Sequence, residues 1–276
     1  MTADLSKSPA GRHRTAAFHA STRTLSLGLL AAASLTGSAN GSAVEFDHDH
    51  SALTAVLAQY ARNGDVDYRG LAGEGRGPFD DYLRSLQAAS GSEPTWSRDE
   101  RMAFWINVYN AFTIRLVLDN YPLESIRSIG LLPGAAFRKA FIPLGPGGDE
   151  LSLDTIEHEI LRAKFQDARI HFAIVCASKS CPALRSEAYR ARDLAQQLDD
   201  AARTFLADRS KNHLDAASGT LHLSPIFKWF REDFERDAGS IEAFVARYTA
   251  PQDAERIRTA KMRLEFLDYD WSLNGR

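Results

Sequence analysis

Cysteine is scarce in this chain: 276 residues hold two, Cys176 and Cys181. Four residues separate them, so they do not form the Cys-x-x-Cys of thioredoxin-like redox sites. No zinc spacing, phosphate loop or Gly-x-Ser-x-Gly elbow is present, and the reading is of a protein with no cofactor and no metal. Long apolar runs are missing too. The apolar run "LSLGLLAAASL" has eleven residues and no charge, well short of the roughly 20 that span a bilayer, and no later apolar run is long and charge-free enough to do so. Excess positive charge is also absent, with 33 Lys and Arg against 36 Asp and Glu. That argues against nucleic-acid binding, which wants a basic face. There is no internal repeat and no long Pro- or Ser-rich linker, and composition is ordinary for a folded chain.

What is present begins with an unusual N-terminus. Residues 1–43 carry Lys7, Arg12, Arg14 and Arg23 against Asp4, then the short apolar run, then small residues. Basic region, apolar core and small-residue cleavage site predict a secretory signal peptide cut after Ala39 or Ala43. Removing its four bases and one acid leaves 29 bases and 35 acids, a net of −6. The expectation is one domain over 44–276, periplasmic or secreted, with no membrane span in the mature chain and no nucleic-acid partner. Such a compartment permits disulfides.

Helical patterns dominate the remainder. "DHSALTAVLAQYARNG" predicts a helix stopped by Asn63-Gly64. "SRDERMAFWINVYNAFTIRLVLDNYP" predicts a long helix opened by a Ser97/Glu100 capping box and apolar nearly all round, hence central. Asn107 and Asn110 share one face of it, either tying a loop to the helix or lining a site. "FIPLGPGGDELSL" and "HLDAASGTLHLS" predict hairpins, "RIHFAIVCA" an interior strand and "RLEFLDYDW" a last strand. "DTIEHEILRAKF" predicts a helix capped by Asp154 and Glu157, and "SPIFKWFREDFE" another helix. The class is α+β, helix-rich around a small antiparallel or mixed sheet.

Six stretches in order, "GDVDYRGL", "AFWINVYNAFTI", "LSLDTIEHEILR", "RIHFAIVCASKSCPAL", "LSPIFKWFREDF" and "LDYDWSLN", resemble the domain of unknown function family number 547 (DUF547). The resemblance runs from about Ala52 to Asn274. It implies an exported bacterial member with no established activity, and its pattern includes Ile156-Glu157-His158 and Ser180-Cys181-Pro182.

Strand alternation puts Cys176 on a buried face as a small hydrophobe. Cys181 falls past the strand end, and Pro182 would make it the N-cap of a following helix. Helix N–H groups, Lys179 and Arg185 would favour its thiolate and make it a nucleophile. His171, at the far end of the strand, would lie roughly 20 Å away. His158, on the preceding helix, is the better base. Glu157 falls inside an apolar arc, as a capping acid or as a buried carboxylate that orients groups in the site. The expected function is a thiol-dependent hydrolase or acyltransferase acting on an envelope peptide, protein or small molecule. Cys181 is its nucleophile and His158 its base. N–H groups after Pro182 form its oxyanion site, with Asn107, Asn110 and Ser180 around it. The alternative is a non-catalytic binding or scaffold domain stapled by a Cys176–Cys181 disulfide, and a third reading gives the pair a redox role. "FDHDH" at 46–50 reads as a solvated start rather than a chelate.

Overall fold

Ser97 opens the long helix Arg98–Leu118. Its hydroxyl accepts from the Glu100 N–H at 3.3 Å, and the Glu100 carboxylate accepts from the Ser97 N–H at 2.8 Å. The capping box is therefore formed. Every residue from Met102 to Ile114 is buried, which an all-round apolar helix requires. In this computed structural model, residues 45–132 and 134–275 are described. The signal peptide expected over 1–43 lies outside them. Among the described residues no helix is long and apolar enough to cross a membrane.

The sheets are small, and the class is α+β. Strands β1 (Ala61–Arg62) and β2 (Asp65–Val66) pair antiparallel. Asn63 (φ 54°) and Gly64 (φ 88°) between them are both left-handed. This is the geometry of a two-residue hairpin turn, for which Asn-Gly is the favoured sequence. The pair therefore turns a hairpin instead of stopping a helix, and the helix before it ends at Tyr60. Strands β3 (His213–Asp215), β4 (Thr220–Leu223) and β5 (Arg263–Phe266) form a mixed sheet in that order, antiparallel then parallel. The hairpin expected at "FIPLGPGGDELSL" is reduced to one bridge, Ile142 to Leu151. "SPIFKWFREDFE" breaks at Phe230 into the helices Ile226–Trp229 and Arg231–Ala238.

Two corrections shape the site. The helix carrying Glu157 is a π-helix, Thr155–Phe165, a wider coil often found at functional sites. Its start is held by Ser152, whose Oγ accepts from the Thr155 N–H at 3.0 Å. Asp154 makes no capping bond, so the second capping box is not formed and two carboxylates are released from that duty.

"RIHFAIVCA" is not a strand. Ala168–Phe172 is a 3₁₀ turn, and the residues after it pair with a side chain. Asn110 Nδ2 donates to the Ala173 carbonyl at 2.9 Å, and its Oδ1 accepts from the Val175 N–H at 2.8 Å. Asn107 holds both backbone groups of Tyr189 in the same way, at 2.7 and 3.0 Å. A buried amide that satisfies donor and acceptor substitutes for a neighbouring strand. Both asparagines tie loops to the central helix. The pinned segment lies between two hydrophobic clusters. Ile170, Ala173, Ile174 and Val175 pack with the central helix, while Phe172 packs with Phe205, Phe227, Phe234 and Phe244.

Candidate functional site

The seam segment turns back on itself at Ala177, a buried non-glycine residue at φ 58°. Such a conformation costs of order 1 kcal/mol or more and persists only where surroundings enforce it. Here the Ala177 carbonyl accepts from the Asn274 N–H, the Cys181 N–H donates to the Ser178 carbonyl, and the Lys179 N–H donates to the Ser272 carbonyl. The turn brings Cys176 and Cys181 together with Cα atoms 6.2 Å apart, and the two form a disulfide.

The two sulfurs exchange the environments expected for them. Cys181 is the buried member at 4% exposure, and Cys176 is half-buried. No helix follows Pro182. Cys181 is not an N-cap, and the helical N–H groups expected after Pro182 are not formed. The extended chain there bridges instead to Gly64 through Leu184. Cys181 Sγ accepts from the Cys176 N–H at 2.9 Å, and the Tyr269 hydroxyl lies 3.3 Å from each sulfur.

A cleft of about 170 Å³ opens beside the disulfide, with Tyr109, Asp154, Glu157, His171, both cysteines, Trp229, Tyr269 and Trp271 in its lining. Glu157 is half-buried, with the Tyr109 hydroxyl 3.4 Å from its Oε2. Burial pushes its carboxyl up to about 7, Arg162 opposes that shift and the charge of Asp154 adds to it. His158, one residue on, is exposed and outside this lining, with Nδ1 3.0 Å from Arg162 Nη1. Desolvation and the Arg162 charge both hold its pKa below the ordinary value.

His171 is the imidazole that shares the cleft with the cysteines. The expected 20 Å separation fails because the segment between them folds back instead of extending. His171 is 3% exposed, and its ring stacks on Phe230 at 3.9 Å. Nε2 lies 2.7 Å from Asp233 Oδ2, while Nδ1 has no partner among the described residues. Burial, the largest influence, lowers the imidazole pKa against the pull of Asp233. Neutral His171 therefore donates Nε2–H to the carboxylate and keeps a free lone pair on Nδ1. Burial works against the charge of Asp233. Hydrogen bonds from His171, from Arg162 at 2.6 Å and from Arg236 at 2.9 Å nevertheless hold it well below the usual carboxylate range.

The other expected site residues lie apart from this cleft. Lys179 is exposed, Ser180 exchanges two hydrogen bonds with Asp270, and Arg185 pairs with Glu187 at 2.6 Å. Asp233 and Tyr269 escaped sequence reasoning, although both fall in stretches quoted for the family resemblance. Their separations of 62 residues from His171 and 88 from Cys181 give no local pattern. Among the described residues no group of three or more His, Cys, Asp or Glu has metal-holding geometry.

No curated protein and no solved structure matches the chain. The matched family region spans the central helix, the π-helix and both cysteines, and it ends before Asp233 and Tyr269. The family model described as protein of unknown function, DUF547, matches residues 94–206 of the chain.

Proposed function

We propose that this protein is an exported thiol-dependent hydrolase or acyltransferase acting on amide or ester bonds of an envelope substrate. Cys181 is the nucleophile and His171, rather than His158, the base. The observation that carries this reading is His171, held by Asp233 behind it, in the lining of the cleft that also holds Cys181. A nucleophile, a base with a free lone pair and a carboxylate orienting that base are the parts of a catalytic triad. The donors on Cys181 Sγ support it as well. A disulfide sulfur is a weak acceptor, whereas a thiolate gains from both the Cys176 N–H and the Tyr269 O–H. Export rests on the signal-like residues 1–43 and the compartment they imply.

On this reading the disulfide is the resting form. A thiol reductant delivers two electrons and two protons, becomes a disulfide itself and leaves Cys176 and Cys181 as thiols. Cys181 then forms a C–S bond to the substrate carbonyl. His171 takes the thiol proton and returns it to the leaving nitrogen or oxygen as that bond breaks. Water or an amine releases the acyl group. Glu157, titrating near neutrality, is a second proton-exchanging group in the same cleft.

The bond between the sulfurs favours a second reading, a non-catalytic domain in which the staple contributes about 2 kcal/mol by loop closure. Free thiols counted on protein purified without reductant, with hydrolysis of p-nitrophenyl acetate followed before and after a phosphine reductant, separate the two. The enzyme reading expects two thiols to appear and hydrolysis to rise by about tenfold or more. A rate unchanged by reduction favours the staple.

A further inference from the structure

The cleft holds features that the chemistry of Cys181 does not require. Its wall carries Trp229, Tyr269 and Trp271, with ring centroids 4.6–6.0 Å apart. Trp229 packs on the other two rings yet remains 47% exposed, so an aromatic face is open to a ligand. Asp154 and Glu157 face the same space, and neither Lys nor Arg is among the lining residues. The cation that most influences Glu157, Arg162, is already bonded to Asp233 at 2.6 Å. His171 adds a buried nitrogen lone pair that no described residue satisfies.

We infer that this cleft binds a primary ammonium group carried on an aromatic or apolar ligand. The ammonium donates its N–H bonds to the two carboxylates and to His171 Nδ1, while its charge and apolar body lie on the tryptophan and tyrosine faces. Two half-buried carboxylates repel an anion. A neutral ligand adds no counter-charge to them within the cleft, where charge is costly to bury. This inference stands apart from the role of Cys181 and holds for the oxidised protein.

Proton linkage gives it a signature. Glu157 faces Asp154 and Arg162 of its own helical segment, Tyr109 of the central helix and Asp233 of helix Arg231–Ala238, and His171 and Tyr269 share its cleft. A bound cation opposes the effect of burial and favours the ionised carboxylate. Binding therefore releases a proton from Glu157 and tightens as pH rises through about 7. Alkyl ammonium groups remain charged over that range.

Isothermal titration of the oxidised full-length protein with benzylammonium, benzyl alcohol and phenylacetate tests this. Benzylammonium should bind at least about tenfold tighter than either analogue. Its affinity should rise about threefold to tenfold from pH 6 to pH 8. Trp229→Ala, at an exposed position, and Glu157→Gln should each weaken it by about fivefold or more. If Glu157→Gln does not fold, the wild-type pH series reads the same carboxylate. No saturable binding of benzylammonium, equal affinity for benzyl alcohol or phenylacetate, or an affinity flat in pH would overturn the inference. Since no outcome depends on turnover, its failure is distinct from failure of the enzyme reading.

Discussion

Asp233→Ala is expected to destabilise the protein by about 3–5 kcal/mol, because it strips a buried carboxylate from Arg162 and His171 at once. Arg162 Nε and His171 Nε2 both bond the same oxygen, at 2.6 and 2.7 Å. Arg236 reaches the other oxygen from one turn along the same helix. Urea unfolding at pH 7 reads this loss directly, and a loss under about 1 kcal/mol would mean the network is not a buried one. Asp233→Asn separates stability from chemistry. It keeps the shape and one acceptor oxygen, so the protein should fold. Its amide nitrogen, however, no longer fixes the Nε2–H tautomer of His171, and turnover should fall by about 10³–10⁴-fold.

The sign of the pH effect follows from the same network. The folded carboxyl of Asp233 titrates below its ordinary value of 3.8. Its contribution is fully present above that value and is lost as pH falls toward the depressed folded one. Wild type should therefore show an acid-unfolding contribution that Asp233→Asn lacks.

Cys181→Ser should abolish turnover, by about 10³-fold or more in the reduced state, since an unactivated hydroxyl is a far weaker nucleophile than a thiolate. Cys176→Ser should do the reverse. It leaves Cys181 unbridged, so activity should appear without reductant. Both variants lose the same staple, about 2 kcal/mol of stability. Matching stabilities with opposite activities therefore identify the nucleophile. Equal residual activity in the two variants would remove Cys181 from the chemistry.

The sequence was most legible where local rules act alone. The Ser97/Glu100 capping box and the apolar surface of the helix it opens need only neighbours three and four positions apart. The β3–β4 hairpin and the strand at Arg263–Phe266 follow from turn residues and alternation. Failures came where distant groups overrode local preference. The apolar run at 169–177 has strand composition, but Asn110 satisfies its backbone and the Ala177 turn reverses it. That reversal moved His171 into the cleft and buried Cys181. Ser152 took the capping role assigned to Asp154 and Glu157, leaving both carboxylates to face the cleft. His158 is visible in the sequence as a half-apolar histidine on a helix, yet the π-helical winding leaves it outside, against Arg162. The Asp233 partner of His171 lies 62 residues away, beyond the reach of spacing rules.

On the enzyme reading, reduced Cys181 is an activated thiol under the control of His171. The most direct measurement is the rate at which iodoacetamide alkylates each cysteine of the reduced protein at pH 7, resolved by peptide mass spectrometry, in wild type and in His171→Asn. Cys181 should react about tenfold or more faster than Cys176 in wild type and should slow by a similar factor in His171→Asn, with the Cys176 rate unchanged. Equal rates at the two cysteines, or a Cys181 rate indifferent to His171, would mean that His171 does not activate Cys181.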